Sequence, residues 1–329
     1  MKRLIACLFL VGCCLSLAVT AQAAKSLTIK IGHGVPETAS LHKGFVKFKE
    51  IVEAKSNGAM KVQIFPNQQL GGDRELIEAL QLNNVSITAV SANNIAPFVP
   101  QFFVFDLFYL FGDAETAYRV LDGEVGKKLL SYLEPAGIKG LGQMENGFRN
   151  LTNSKRAVAK PEDLNGIKIR VAENPVQIAA WKSLGANPTP MAWGEIFTAL
   201  QQKTLDGQET SLELIVSNRF YEAQKFLTVS EHLYMPFTLI ASLDFYEGLN
   251  PEQRAIVDGA AAEIVTFQRA EAQKVAKSAV ETIAKAGLEV TVLTPEQKKA
   301  FHVKMAETYP LVRDRAGAIC DELIQAAGK

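Results

Sequence analysis

The sequence predicts an α/β protein of two domains. Three observations carry that expectation: a β-α-β-α-β run at the front of the mature chain, a length of 329 residues, and too few cysteines for a disulfide framework. The run argues for a largely parallel sheet with helices packed on it, since apolar strand and helix faces must cover one another. The length suggests two domains. A chain of about 300 residues can bury roughly 75% of its unfolded surface, so burial alone can hold the fold.

The cysteine argument depends on the N-terminus. Lys2 and Arg3 precede an apolar run from Leu4 to Val19, and Ala21-Gln22-Ala23 supplies small residues at cleavage positions. This is the pattern of a secretory signal peptide over residues 1–23, with a mature chain expected from Ala24. The 16-residue run is shorter than a bilayer requires, which is about 20 residues. A lipoprotein signal is the alternative, because Leu10-Val11-Gly12-Cys13 resembles a lipobox, although the apolar run continues past Cys13. Cys7, Cys13 and Cys14 lie in the signal and only Cys320 follows it, so an exported chain would have no internal disulfide. The apolar patch Phe102 to Phe111 is too short to span a membrane and contains Asp106. Formal net charge is zero, with 35 basic and 35 acidic residues. That removes a general case for nucleic acid or for anionic lipid.

In order, Leu27 to Ile31 reads as a strand ending in Gly32-His33-Gly34. Ser40 to Ala54 has helical spacing at Leu41, Phe45, Phe48, Ile51 and Val52, with Ser40 as the candidate N-cap. Lys61 to Phe65 is a second strand, Gly71-Gly72-Asp73 opens a helix over Arg74 to Leu82, and Val85 to Val90 is a third strand. Pro97 and Pro100 break the next segment, and Ala114 to Glu134 reads as one or two helices. Gly137 to Met144 is a strand followed by Gly147-Phe148-Arg149-Asn150. A turn at Asn165-Gly166 introduces the strand Ile167 to Val171, and Pro175 to Leu184 is a helix. Asn187 to Met191 is extended, Trp193 to Gln202 helical, and Leu205 to Glu209 a strand running into Thr210. Leu227 to Val229 and Leu239 to Ala241 are short extended pieces, taken as crossings between domains. Pro251 to Ala286 is one long helix, Leu288 to Leu293 a strand, and Pro295 to Ala327 helical.

Catalytic and metal patterns are missing. His33, His42, His232 and His302 lack metal-ligand spacing, and CxxC, HExxH, GxSxG and GxxxxGK[ST] do not occur. Acid/base carboxylates distant in sequence would escape such a search, so an enzyme stays open. The best candidate for binding is Arg170. Ile167, Ile169 and Val171 alternate with Lys168 and Arg170, which places a guanidinium near the carboxyl end of a strand. Ligands of α/β proteins collect there, and a guanidinium fork matches a carboxylate. An isolated arginine is otherwise a surface or ion-paired residue.

Several stretches resemble the periplasmic solute-binding subunits of TRAP transporters, the DctP-like family. They are Pro66–Leu76 (PNQQLGGDREL), Gly147–Asn153 (GFRNLTN), Lys160–Val171 (KPEDLNGIKIRV), Leu184–Gln201 (LGANPTPMAWGEIFTALQ) and Leu205–Glu209 (LDGQE), in the family's order and across almost the whole mature chain. The resemblance implies a two-lobed periplasmic binding protein fold with an interlobe cleft, crossing strands and a long spanning helix. Lobe I would cover 24–146, with about 235–270 returning to it; lobe II would cover 147–234, with about 271–329 returning to it or packing across both. It implies no catalysis and no cofactor. The expected ligand is a small organic anion, most often a carboxylate, and the partners are small and large membrane subunits. The protein would be a periplasmic monomer. Competing readings are a periplasmic enzyme acting on a small organic acid and a sensory binding protein.

By that resemblance Arg170 is the main contact to a ligand carboxylate, and Arg149 a second arginine beside it. Glu75 falls on an acidic position near the cleft, or serves only the dipole of its helix. His33, Asn93 and Trp193 complete the candidate set. Trp193, Phe148 and Phe197 would line the cleft or else pack in the core. One position departs from the family: the motif usually ends in asparagine where this chain has Thr210. A hydroxyl lacks the amide's reach and second donor. That suits a bulkier head such as a sulfonate, or another substituent.

Overall fold

The structure is a computed structural model and describes residues 26–329. The expected signal peptide and its cleavage site lie outside the described residues. The first half of the chain builds β1 (Leu27–Gly32), α1 (Ser40–Lys55), β2 (Met60–Phe65), α2 (Asp73–Gln81), β3 (Ile87–Ser91), α3 (Ala92–Ile95), α4 (Ala114–Asp122), α5 (Glu124–Ser131) and β4 (Ile138–Asn153). Next come β5 (Lys168–Val171), α6 (Pro175–Ser183), β6 (Asn187–Pro190), α7 (Ile196–Gln201), β7 (Gly207–Ser211), α8 (Leu212–Ser217) and β8 (Phe226–Ser242). The chain ends with α9 (Leu243–Glu247), α10 (Pro251–Lys285), β9 (Glu289–Val292), α11 (Pro295–Met305), α12 (Tyr309–Ala316) and α13 (Ile319–Ala326).

The strands form one continuous sheet in the order β2-β1-β3-β8-β4-β7-β5-β6, with β9 beside β8. The predicted β-α-β-α-β run is present: β1 pairs in parallel with β2 and with β3. The parallel pairs β5–β6 and β5–β7 form the other wing. Between the wings run β4 and β8, 16 and 17 residues long and antiparallel to each other. Their outer halves belong to opposite wings. Residues 138–144 of β4 lie against 242–237 of β8, and Arg149–Asn153 pairs with β7.

This corrects the sequence reading in two places. Gly137–Met144 and the Arg149 segment are one strand, and Leu227–Val229 and Leu239–Ala241 are the two ends of another. The segments between them looked irregular because the pairing register shifts three times, at Gly140/Gly142, Glu145/Gly147 and Arg149/Leu151. Each shift interrupts the two-residue alternation that marks a strand in sequence. Two helical readings hold and divide into separate helices. Residues 114–134 form two helices parted at Gly123, and the C-terminal segment is three α-helices with a 3₁₀ turn.

α10 spans the molecule, at roughly 50 Å for a helix of its length. It starts from a capping box in which Asn250 and Gln253 satisfy each other's backbone amides. Its first half (Val257, Ala260, Ala261, Ile264) packs in the core formed by α1 and the β1 wing, and Ile283 near its end packs in the core around α7 and β9. One rigid rod therefore touches both wings.

Candidate functional site

The two wings face each other across a cavity that is partly open to solvent. Gly34, Asp73, Ser91 and Asn93 line it from the β1 wing, and Arg149, Arg170, Trp193 and Thr210 from the β5 wing. Of the residues singled out in sequence, Arg170, Arg149, Thr210, Asn93 and Trp193 thus share one wall system.

Arg170 sits inside β5, whose neighbours Ile169 and Val171 are fully buried and anchor the strand. Its side chain is 4% exposed. Nε and Nη2 both donate to the Met191 carbonyl, at 2.9 and 2.6 Å. Among the described residues Nη1 has no hydrogen-bond partner and no carboxylate oxygen lies within ion-pair distance. The guanidinium lies 5.9 Å from the centre of the Trp193 ring. Burial, helped by the Arg149 charge and opposed by that of Glu209, pulls its pKa down to about 10, so it stays charged at neutral pH.

Arg149 differs. Its Nε and Nη2 grip Glu209 in a bidentate fork, with Nη2 2.8 Å from Oε1 and a further 2.8 Å bond to the Glu209 carbonyl. His232 approaches the same carboxylate at 3.2 Å, and Ser230 holds the other imidazole nitrogen at 2.8 Å. Burial alone would raise the Glu209 carboxyl. The Arg149 charge and the bonds from His232 and Arg149 outweigh it and hold the group at about 2. The pair is therefore ionised and internally neutral.

Three buried polar atoms on the cavity wall have no hydrogen-bond partner among the described residues: Asn93 Oδ1, Asn146 Oδ1 and Thr210 Oγ1. Orphaned buried polar atoms are costly unless something fills the space beside them. Asn146 and Asp73 were missed in the sequence. Asn146 reaches the cavity because the Glu145/Gly147 register shift adds a residue to β4, and Gly147 takes φ +101° there. Asp73 was visible in the Gly71-Gly72-Asp73 turn but read only as a helix start.

The remaining candidates lie elsewhere. His33 is fully buried outside the cavity lining, bonded to His42 at 3.0 Å and stacked on Phe45. Burial and the His42 charge push it down to about 3, so it is a neutral strand-end residue. Glu75 is exposed in the first turn of α2 and borders a neighbouring recess shared with Arg170 and Trp193. Phe148 points to the opposite face of β4, edge-on to Tyr234 at 5.3 Å, because it alternates with Arg149. Phe197 packs against the core of the β7 wing. Among the described residues no cluster could hold a metal ion, and no helix is long and apolar enough to cross a membrane.

The profile of the DctP family, described as bacterial extracellular solute-binding protein, family 7, matches residues 31–314. The C4-dicarboxylate-binding periplasmic protein DctP of Rhodobacter capsulatus is 36% identical, over 95% of each chain. The sugar acid binding protein DctPAm of Advenella mimigardefordensis, solved with galactonate, superimposes with a TM-score of 0.90 at 38% identity, covering 92% of this chain and 98% of that one. A TRAP periplasmic solute-binding protein of Polaromonas sp. JS666, bound to D-erythronate, gives 0.87 at 34% identity over the same shares. This chain belongs to bacterial extracellular solute-binding protein family 7, the DctP family of two-lobed TRAP solute-binding proteins.

Proposed function

We propose that this chain is the periplasmic capture subunit of a TRAP-type transporter and that it holds a small organic acid by its carboxylate at Arg170. One observation carries the reading: a buried guanidinium that borders a cavity and has no carboxylate partner among the described residues. A charge removed from water without a partner costs several kcal/mol. An anionic ligand in the cavity would offset that cost through a charge-assisted, directional pair. Arg149 supports the site from beside it, its own charge already balanced by Glu209. Thr210, Asn93 and Trp193 are the further ligand contacts in this reading.

The wings act as the two lobes, 24–146 and 147–234, with the returning segments completing them. Closure around the ligand presents a combined surface that only the loaded form has, and the small and large membrane subunits read it. The protein works as a monomer and returns its ligand chemically intact. Carboxylate ligands of the related proteins, galactonate and D-erythronate, support a small carboxylic acid here.

A thermal-shift screen of the chain from Ala24 against carboxylates, sugar acids, amino acids and sulfonates tests this. A ligand at 100 times its dissociation constant adds about 2.7 kcal/mol. The expected outcome is a hit among carboxylates that disappears in Arg170→Ala, a loss of about 2–5 kcal/mol. Near-native affinity in Arg170→Ala, or recovery of a chemically altered ligand, would overturn it.

A further inference from the structure

The charges around the cavity suit an acid with one carboxylate. Arg149 is neutralised in its fork with Glu209, so Arg170 is the one lining guanidinium, among the described residues, without a carboxylate. Asp73 brings a carboxyl to the same space. Its Oδ2 is engaged, accepting from Asn94 Nδ2 at 2.6 Å and from the Ser91 amide at 3.4 Å. Its Oδ1 accepts no hydrogen bond and lies beside Gly34, where a Cβ would come within 3.4 Å of it. Gly34 is itself a lining residue. Unpaired lining groups are otherwise rich in acceptors, with Asn93 Oδ1 and Asn146 Oδ1 both buried and without donors, and Thr210 Oγ1 able to accept as well.

We infer that Asp73 is a specificity-determining residue: it accepts a hydrogen bond from a ligand hydroxyl and excludes a second carboxylate, so that the cavity takes small hydroxylated monocarboxylates and rejects dicarboxylates. This rests on the anion-site reading of Arg170. A hydroxyl donates to Asp73 and to the orphaned carbonyl oxygens, and so satisfies acceptors that no donor among the described residues reaches. A second carboxylate supplies no proton to them and leaves those buried acceptors unpaired. Burial raises the Asp73 carboxyl, opposed by the Asn94 and Ser91 bonds and by the Arg170 charge. Discrimination of this kind is large, because the wrong ligand leaves buried polar groups unpaired.

Calorimetric titration with two matched series tests it: aldonates of four to six carbons, beginning with D-erythronate, and the unsubstituted dicarboxylates of the same lengths, beginning with succinate. The wild-type chain should bind an aldonate about 100-fold more tightly than any dicarboxylate. Asp73→Asn, which keeps a side-chain acceptor for Asn94, should shrink that ratio about tenfold or more while melting near the wild-type temperature. Arg170→Ala should lose both series. A wild type that prefers a dicarboxylate, or binds neither series, overturns the assignment, as does an unchanged ratio in Asp73→Asn. If the ratio is unchanged while Arg170→Ala loses binding, only the role of Asp73 fails. If Arg170→Ala binds normally, the anion site itself fails.

Discussion

At the scale of single residues, two arginines that read alike in sequence have different jobs. Both sit on strands and line one cavity, yet Arg149 is committed to Glu209 and Arg170 is not. Strand alternation could place both guanidinia on the cleft side, but nothing local says that Glu209, 60 residues on, supplies the counter-charge. Asp106 shows the same limit. In sequence it merely interrupts an apolar patch. In the fold it is fully buried and accepts from Asn174 Nδ2 at 2.7 Å and Gln177 Nε2 at 2.6 Å. Burial raises its carboxyl to about 7 despite those two bonds and the Arg149 charge. The sign follows: from the ordinary carboxylate range up to about pH 7 the folded chain holds a proton that the unfolded chain has released. Its contribution to stability therefore falls as pH rises through that window. Asp106→Asn, neutral throughout, should gain stability relative to wild type between pH 4 and pH 7 and then level off. Urea unfolding at both pH values measures it, and a pH-independent difference would count against the assignment.

At the scale of elements, helix caps show how far local reading reaches. Asn250 with Gln253 and Thr294 with Gln297 form capping boxes, and both helices were predicted at their observed starts. α1 was predicted to start at a Ser40 cap. Its N-cap is Ala39, whose side chain cannot accept, and the Ser40 amide donates instead to Glu213 Oε1 of α8 at 2.7 Å. Gln268 of α10 joins this contact by donating to Ser40 Oγ at 2.8 Å and to the Glu145 carbonyl. The cap is thus supplied by α8, which follows β7 of the opposite wing. Glu213→Ala should cost about 0.5–2 kcal/mol of stability, as loss of a helix cap does. Because the contact joins the wings, the variant should also bind its ligand more weakly. Denaturant unfolding and a titration check the two effects, and unchanged values in both would show that the contact bears no weight.

At the scale of the whole molecule, the wings touch at the cleft mouth where Gln68 meets Gly194. A Cβ on Gly194 would lie 2.5 Å from Gln68 Oε1. Asn67 and Gln68 both take left-handed backbone angles, φ 54° and 61°, which turn that loop toward the opposite wing. Gly194→Leu should hinder closure without touching Arg170. Overpacking typically costs 1–3 kcal/mol, so affinity should fall about tenfold or more. Scattering of the ligand-saturated variant should show a more open particle, and native affinity would mean that this seat is not part of the closed form.

Local pattern by itself determined the α/β class, the longer helices but not the short α3, α8 and α9, the short parallel strands and the candidate Arg170, because hydrophobic periodicity, turn residues and caps act over a few residues. The resemblance carried by five short stretches named the family correctly. Tertiary structure alone decided that β4 and β8 run unbroken through three register shifts, which bring Asn146 to the cavity wall. It alone withdrew His33, Phe148 and Phe197 from the cavity and paired Arg149 with Glu209. The strand pairing and the Arg149–Glu209 pair turn on partners tens of residues apart, set by how the sheet brings its two wings together, and His33 is withdrawn by packing on α1 of its own wing.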